Sequence, residues 1–160
     1  MKRLTITLIV VCLAGIVVCL HPPALWGNVQ LQTEAVFFCF YAMPLLALVL
    51  TLLAWRAGVR AIASGGESKA VRARTWPAML FLAGAVAMAL GLFLWLRVGL
   101  LFGPIAIPRM LEIGATASVA ALVTSTWAPS SFRFPALCAA AAWAGFFGRV
   151  LYIFAHMGRP

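Results

Sequence analysis

Residues 77–96 read PAMLFLAGAVAMALGLFLWL, a stretch of 20 residues that contains no charged side chain. An α-helix needs about 20 predominantly apolar residues to cross the hydrocarbon core of a bilayer. The stretch therefore predicts a membrane-spanning helix. It decides the fold because comparable apolar stretches lie on both sides of it along the chain.

The overall composition indicates the same fold class. Of the 160 residues, 65% are hydrophobic and 9% are charged, and the mean hydropathy is +1.08. Soluble domains carry about 25% charged residues. A soluble chain of this length could not bury so much apolar surface, so we expect lipid to cover it.

Four further apolar stretches predict an all-α integral membrane protein with five transmembrane helices in one domain, residues 1–160. Pro44 lies inside the second helix and is expected to kink it, because proline cannot donate the helical hydrogen bond. The first stretch resembles a signal peptide but lacks a small-residue cleavage site, so we expect a retained helix. The predicted helices cover approximately residues 4–20, 35–55, 77–96, 111–127 and 134–157.

The basic residues predict the orientation of the chain. With the N-terminus inside, eight Lys and Arg residues lie on the inner side and three on the outer side, as the positive-inside rule requires. Residues 56–76 then form a basic inner loop with a flexible break at SGGES, residues 64–68. The inner residues are Lys2, Arg3, Arg56, Arg60, Lys69, Arg72, Arg74 and Arg133, and the outer ones are Arg97, Arg109 and Arg159.

Small residues recur at four-residue spacing in helices three to five. Such residues let helices approach closely in lipid, where apolar burial alone gives little driving force. We therefore predict a compact bundle of helices three to five, or small-residue stripes that face a partner chain. Helices one and two are bulkier and are expected to face lipid or to pack loosely. The stripes are Ala83, Ala87 and Gly91, then Ala117, Ala121 and Ser125, then Ala140, Ala144 and Gly148.

Arg149 lies inside the fifth apolar helix and is the first candidate for a functional residue. A charged side chain at that depth costs on the order of 3 kcal/mol on insertion scales unless it is paired or hydrated. Three alternatives stay open: an ion pair with Glu112 or Glu34, a side chain that snorkels to the interface, or direct contact with a ligand. Tyr152 lies one helical turn further, and Arg109 is predicted at the same end.

Metal and cofactor chemistry has only weak candidates. His21, His156, Cys19 and Cys39 offer soft ligands, and Cys19 with Cys39 could also form a disulfide. No CxxC or HxxxH spacing occurs, and the chain contains no Asp. The sequence therefore requires no metal and no cofactor, and thin support remains for nucleophilic catalysis.

The net charge of +9 raises the question of an anionic partner. The basic residues flank apolar segments instead of forming a nucleic-acid surface, so nucleic-acid binding is excluded. Lys69, Arg72 and Arg74 form a small cluster in the predicted inner loop. This cluster serves membrane topology, or it binds lipid headgroups.

The stretches PRMLEIG, residues 108–114, and FFGRVLYIFAHMGRP, residues 146–160, faintly resemble the MAPEG superfamily of membrane glutathione-dependent enzymes. Arg149 and Tyr152 fit the Arg-x-x-Tyr pattern of that family. Arg109 and Glu112 depart from its Arg-x-x-Asn-x-x-Glu pattern, because the Asn is missing and the spacing is shorter. The resemblance covers at most the last third of the chain and implies an enzyme with thiol or lipid substrates.

Three classes of function are open at this point. We favour a non-enzymatic subunit of a larger complex in a bacterial-type inner membrane, with partner membrane proteins or further copies of the chain around it. The first alternative is a small oligomeric transporter or channel with a polar site near Glu112 and Arg149. The second alternative is a membrane-embedded enzyme on lipid or thiol substrates.

Overall fold

The structure of the protein is a computed structural model, which describes residues 6–7, 9–15, 29–64, 69–98 and 106–156. All of these residues are helical except the turn at 127–129, and none of them forms a strand. The fold is therefore all-α, as predicted. The helices are α1 (residues 9–15), α2 (Val29–Ser64), α3 (Lys69–Val98), α4 (Ala106–Thr126) and α5 (Ser130–His156).

Four of the described helices are long and apolar enough to cross a membrane, as in a multi-pass membrane protein. The predicted first span, residues 4–20, lies partly outside the described residues, and only its 9–15 part forms a continuous described helix. The described residues therefore provide four candidate spans, where the sequence predicts five. The candidate spans are Tyr41–Ser64, Lys69–Leu94, Ile107–Thr126 and Ser130–Ile153.

The basic segment 56–76 differs from the predicted loop. α2 continues to Ser64, and α3 already begins at Lys69. The segments on both sides of the break are rich in Ala and Arg, which are strong helix formers. Ala61 and Thr75 are also buried there, with 6% and 0% of their surfaces exposed. Helix propensity and packing together extend both helices into a helical hairpin.

α2 to α5 run alternately up and down, and α5 packs extensively against both α2 and α4. α3 packs extensively against α4 and much less against α2. The bundle therefore includes α2, whereas the sequence predicted a compact set of helices three to five alone. A hydrogen bond joins α2 to α5 at the centre, where Trp143 Nε1–H donates to Thr51 Oγ1 over 2.8 Å. α1 also contacts α2, because Gly15 lies against Leu46.

Glycines allow the closest approaches between helices, among them Gly91 of α3, where a Cβ would meet the Met110 side chain of α4. A Cβ on Gly114 would meet the ring of Phe147, which is completely buried, so α4 and α5 touch there through a missing side chain. A Cβ on Gly58 would lie 2.8 Å from Met79 Sδ and 3.1 Å from the Phe132 ring. Glycine at these positions lets a large neighbouring side chain pack directly on the helix backbone.

The predicted small-residue stripe is largely buried in α4, but in α5 it is divided between the buried side and the outward side. Ala121 and Ser125 are fully buried, as expected for α4. In α5 the buried face is instead bulky, with Trp143, Phe146 and Phe147 at its centre, and a methyl group added to Gly148 would have no neighbour within 4 Å. Ala140 of the predicted stripe is buried beside these large side chains, whereas Ala144 is half-buried and Gly148 is exposed. In α3 the buried residues are Ala78, Met79, Leu82, Ala85, Ala89 and Leu92 instead of the predicted stripe.

Candidate functional site

Arg149 lies near the end of the bundle at which α5 ends. Its side chain is half-buried, and its guanidinium carbon lies 5.8 Å from the centre of the Tyr152 ring. A cation over an aromatic ring at this distance contributes about 0.5–1 kcal/mol at an exposed site. Arg149 and Tyr152 therefore form a local pair within one helix, as their spacing of three residues suggested.

The structure does not bring Arg149 together with Glu112. The Glu112 side chain is exposed on α4, and the described part of the chain contains no ion pair between the two residues. Arg109 is exposed on α4 as well. Glu34 lies on α2, but its side chain is outside the described set, so an ion pair between Arg149 and Glu34 stays a prediction.

The weak metal candidates fall mainly outside the described residues. His21 and Cys19 lie outside them, while Cys39 and His156 lie on α2 and α5 without described side chains. No group of three or more His, Cys, Asp or Glu side chains comes together among the residues that were described. The two described cysteines, Cys12 and Cys138, are free thiols buried in apolar surroundings.

The polar groups in the bundle interior are hydroxyls, and most of them are satisfied within their own helix. Thr51 donates to Ala47 over 2.8 Å and accepts from Trp143, and Ser118 donates to Gly114 over 2.7 Å. Ser125 Oγ is the one buried side-chain oxygen without a partner in the described structure. Isolated hydroxyls of this kind stabilise helix packing in membranes and do not line a polar path.

An apolar crevice of about 260 Å³ lies between α2 and α3. α2 and α3 pack only sparingly against each other, and α5 contributes Trp143 and Phe146 to the lining of the crevice. The indole N–H of Trp143 is occupied by Thr51, so the ring presents an apolar surface to the crevice. Such a lining suits hydrocarbon and not an ion or a polar substrate. The other walls include Tyr41, Leu48, Val86 and Phe93.

The outward face of α5 differs from the outward faces of the other helices. Ala141 and Gly148 are exposed, and Ala144 and Gly145 are half-buried beside them. These four residues lie on one side of the helix, since their spacings are three and four residues. We call them the α5 small face. The exposed residues of the other helices are mostly bulky: Leu45, Leu52 and Val59 on α2, Leu80, Leu90 and Leu94 on α3, and Ile113, Val119 and Val123 on α4.

Cationic side chains gather at the opposite end of the bundle, where α2 and α4 end and α3 and α5 begin. All of these side chains are exposed. Lys69, Arg72 and Arg74, which the sequence marked as headgroup candidates, belong to this group. We call the group the basic end; its members are Arg56, Arg60, Lys69, Arg72, Arg74 and Arg133.

Sequence reasoning missed two features of α5: that Trp143 is buried, and that Ala140 is buried with it while Gly148 lies on the outward side. The signal for both was the stretch CAAAAWAG, residues 138–145, in which a single large residue stands among small ones. A lone tryptophan in such a stretch is expected to face the bundle interior. The alanines on the opposite side of the helix then face outward.

Comparison with known proteins gives no relative: no protein-family model, no curated protein and no solved structure matches the chain. The partial resemblance to the MAPEG superfamily therefore has no support from a family match. The function has to be argued from the geometry of the bundle.

Proposed function

We propose that this protein is a non-enzymatic integral membrane subunit that binds a transmembrane helix of another chain on the α5 small face. The observation that carries the proposal is that Ala141 and Gly148 are exposed, with the half-buried Ala144 and Gly145 between them on the same side of α5. Nothing lies within 4 Å of a Cβ built on Gly148.

Helices in lipid gain free energy from mutual contact mainly through van der Waals packing. Lipid tails are as apolar as leucine, so a helix gains by docking only where close backbone approach increases van der Waals contact. A face with Ala141, Gly145 and Gly148 permits such an approach, whereas the leucines and valines on α2, α3 and α4 keep a neighbouring helix at a distance. α5 is therefore the helix on which a partner would pack most closely.

The basic end supports the proposed orientation in a bacterial-type inner membrane. The positive-inside rule puts the basic end on the cytoplasmic side and the Arg149 end of the bundle on the outer side. The alternative function, transport through a single chain near Glu112 and Arg149, finds little support. These two residues form no ion pair in the described structure, and the described bundle interior is filled with aromatic and aliphatic side chains.

Site-specific photocrosslinking in native membranes tests the proposal. A photoreactive residue at position 141 is expected to give a discrete adduct with a partner chain, while the same residue at the exposed Ala87 of α3 gives only lipid adducts. The mass of the adduct tells whether the partner is a second copy or a different protein. Adducts of equal yield at both positions, or no protein adduct at either, would refute helix docking on α5.

A matched substitution completes the experiment. Gly145→Leu fills the α5 small face and should abolish the adduct formed from position 141. Ala87→Leu places the same side chain on an exposed part of α3 and should leave that adduct unchanged. If both substitutions leave the adduct intact, the α5 small face is not the docking surface.

A further inference from the structure

We propose that the basic end is a binding surface for the headgroups of anionic phospholipids. The proposal is independent of the partner helix on α5, because it rests on other residues at one end of the bundle. Its central observation is a concentration of exposed cations on three different helices that no described carboxylate neutralises.

The charge balance of the basic end is strongly one-sided. Six exposed Lys and Arg side chains come from α2, α3 and α5. Glu112 is the only carboxylate whose side chain the structure describes, and it lies on α4 near the other end of the bundle. In the sequence Glu67 lies two residues before Lys69, in the segment 65–68 outside the described residues, so six cations stand against one carboxylate at this end. Cations in excess next to a membrane surface attract anionic lipids by about 1 kcal/mol for each Lys or Arg.

Tryptophans place the basic end at the depth of the headgroups. Trp55, Trp76 and Trp127 are exposed around this end of the bundle, and exposed tryptophans in membrane proteins collect at the membrane interface. The guanidinium carbon of Arg72 lies 6.0 Å from the centre of the Trp76 ring. The cation of Arg72 therefore lies beside an exposed tryptophan of the kind that collects at the interface.

The cations of the basic end lie on helices that pack on the bundle. Lys69 and Arg72 lie on the first turn of α3, in a helical hairpin and not in a loop. The hairpin packs on the bundle through the contact of Gly58 with Phe132. Arg133 Nε donates to the Ala128 carbonyl over 3.0 Å, which fixes that side chain as well. Cations that are already positioned lose less conformational entropy when they bind a phosphate.

The positive-inside rule alone accounts for the presence of these charges but not for lipid selectivity. A charge that acts only during membrane insertion has no continuing preference for one headgroup over another in the folded protein. A surface that binds headgroups retains anionic lipids in preference to zwitterionic ones, and this difference can be measured.

The experiment uses the full chain, purified in a neutral detergent, with phosphatidylglycerol and phosphatidylcholine as the added lipids. Native mass spectrometry counts the lipids that stay bound. We expect phosphatidylglycerol to be retained preferentially, and we expect the preference to fall as salt is raised, because exposed charges are screened within about 10 Å at 0.1 M salt.

Charge removal identifies the residues responsible. The double variant R72Q/R74Q should lose about 25-fold in affinity for phosphatidylglycerol, at about fivefold for each cation. The control R97Q/R109Q removes the same charge from the other end of the bundle. Its affinity for phosphatidylglycerol should differ less than twofold from that of the unmodified chain. Circular dichroism verifies that the variants are helical. If R72Q/R74Q does not fold, the single variants Arg72→Gln and Arg74→Gln replace it, each with an expected loss of about fivefold.

Three results would overturn the proposal. Equal retention of phosphatidylglycerol and phosphatidylcholine would show no headgroup preference, and it is also the result expected if an acidic protein were the partner of the basic end. An equal loss in R72Q/R74Q and R97Q/R109Q would show a general effect of net charge. A preference that does not respond to salt would show that acyl chains decide the binding.

Discussion

Gly114→Ala tests a close contact between α4 and α5. A methyl group at this position meets the ring of Phe147, which is fully buried and stacked among other aromatic side chains: its centroid lies 5.2 Å from that of Phe146 and 6.0 Å from that of Trp143. Phe147 therefore has little freedom to move away. Forcing an additional methyl group into a packed interior costs about 1–3 kcal/mol.

Gly84→Ala is the matched control for this substitution. A Cβ on Gly84 has Ala117 Cβ as its nearest heavy atom, at 3.8 Å, which is ordinary van der Waals contact. Replacing glycine by alanine inside a helix gains up to about 1 kcal/mol of helix propensity at either position. The propensity gain cancels between the two variants, so their free energies of unfolding should differ by about 1–3 kcal/mol, with Gly114→Ala the less stable.

Unfolding in mild detergent, followed by circular dichroism during titration with a denaturing detergent, measures this difference. The double variant G114A/F147L should recover part of the loss, because a smaller side chain at position 147 leaves space for the methyl group. Equal stability of Gly114→Ala and Gly84→Ala would refute the reasoning, since it would mean that α4 and α5 are not in contact at Gly114.

Two further predictions follow from the hydrogen bonds and charges of the bundle. Thr51→Val leaves the buried Trp143 N–H without its acceptor. A double-mutant cycle with Trp143→Phe, measured by unfolding in detergent, should give a coupling energy of about 0.6 kcal/mol and at most about 1.7 kcal/mol. A coupling energy near zero would contradict the α2–α5 contact. Arg149 contacts Tyr152 and forms no ion pair with Glu112 in the described structure, so the charge exchange E112R/R149E should not restore the stability lost in R149E. Tyr152→Leu should lower the free energy of unfolding by about 0.5–1 kcal/mol. Restored stability in the charge exchange would show that the two charges meet in the membrane.

Much of the bundle could be predicted because the bilayer restricts the possible structures. Apolar stretches such as residues 77–96 must form helices in lipid, since every backbone N–H and C=O needs a partner within its own segment. The helices α2 to α5 follow from that rule. The ends of α2 and α3 were harder to predict, because lipid imposes no such requirement beyond the membrane, and packing of Ala61 and Thr75 extends the helices there.

The candidate site could be predicted only where its residues are local in sequence. The pairing of Arg149 with Tyr152 lies within one helical turn, so spacing alone indicated that they are neighbours. To predict whether Arg149 pairs with Glu112, the orientation of α4 and of α5 about their own axes must be known. That orientation depends on which side chains fill the interior. The sequence contains both residues at plausible depths, but depth does not specify the direction in which a side chain faces.

The sequence by itself determined that this chain is an all-α protein with four apolar helices and with most of its cations expected at one end, because hydropathy and charge act residue by residue. The tertiary structure alone decided which face of each helix is buried. The core contains the rings of Trp143, Phe146 and Phe147, and Trp143 also donates a hydrogen bond there. The orientation of α5 that buries these rings places Ala141, Gly145 and Gly148 on its other side. Small residues are compatible with either side of a helix in lipid, so only the packing of their large neighbours specifies whether they close the bundle or receive a partner.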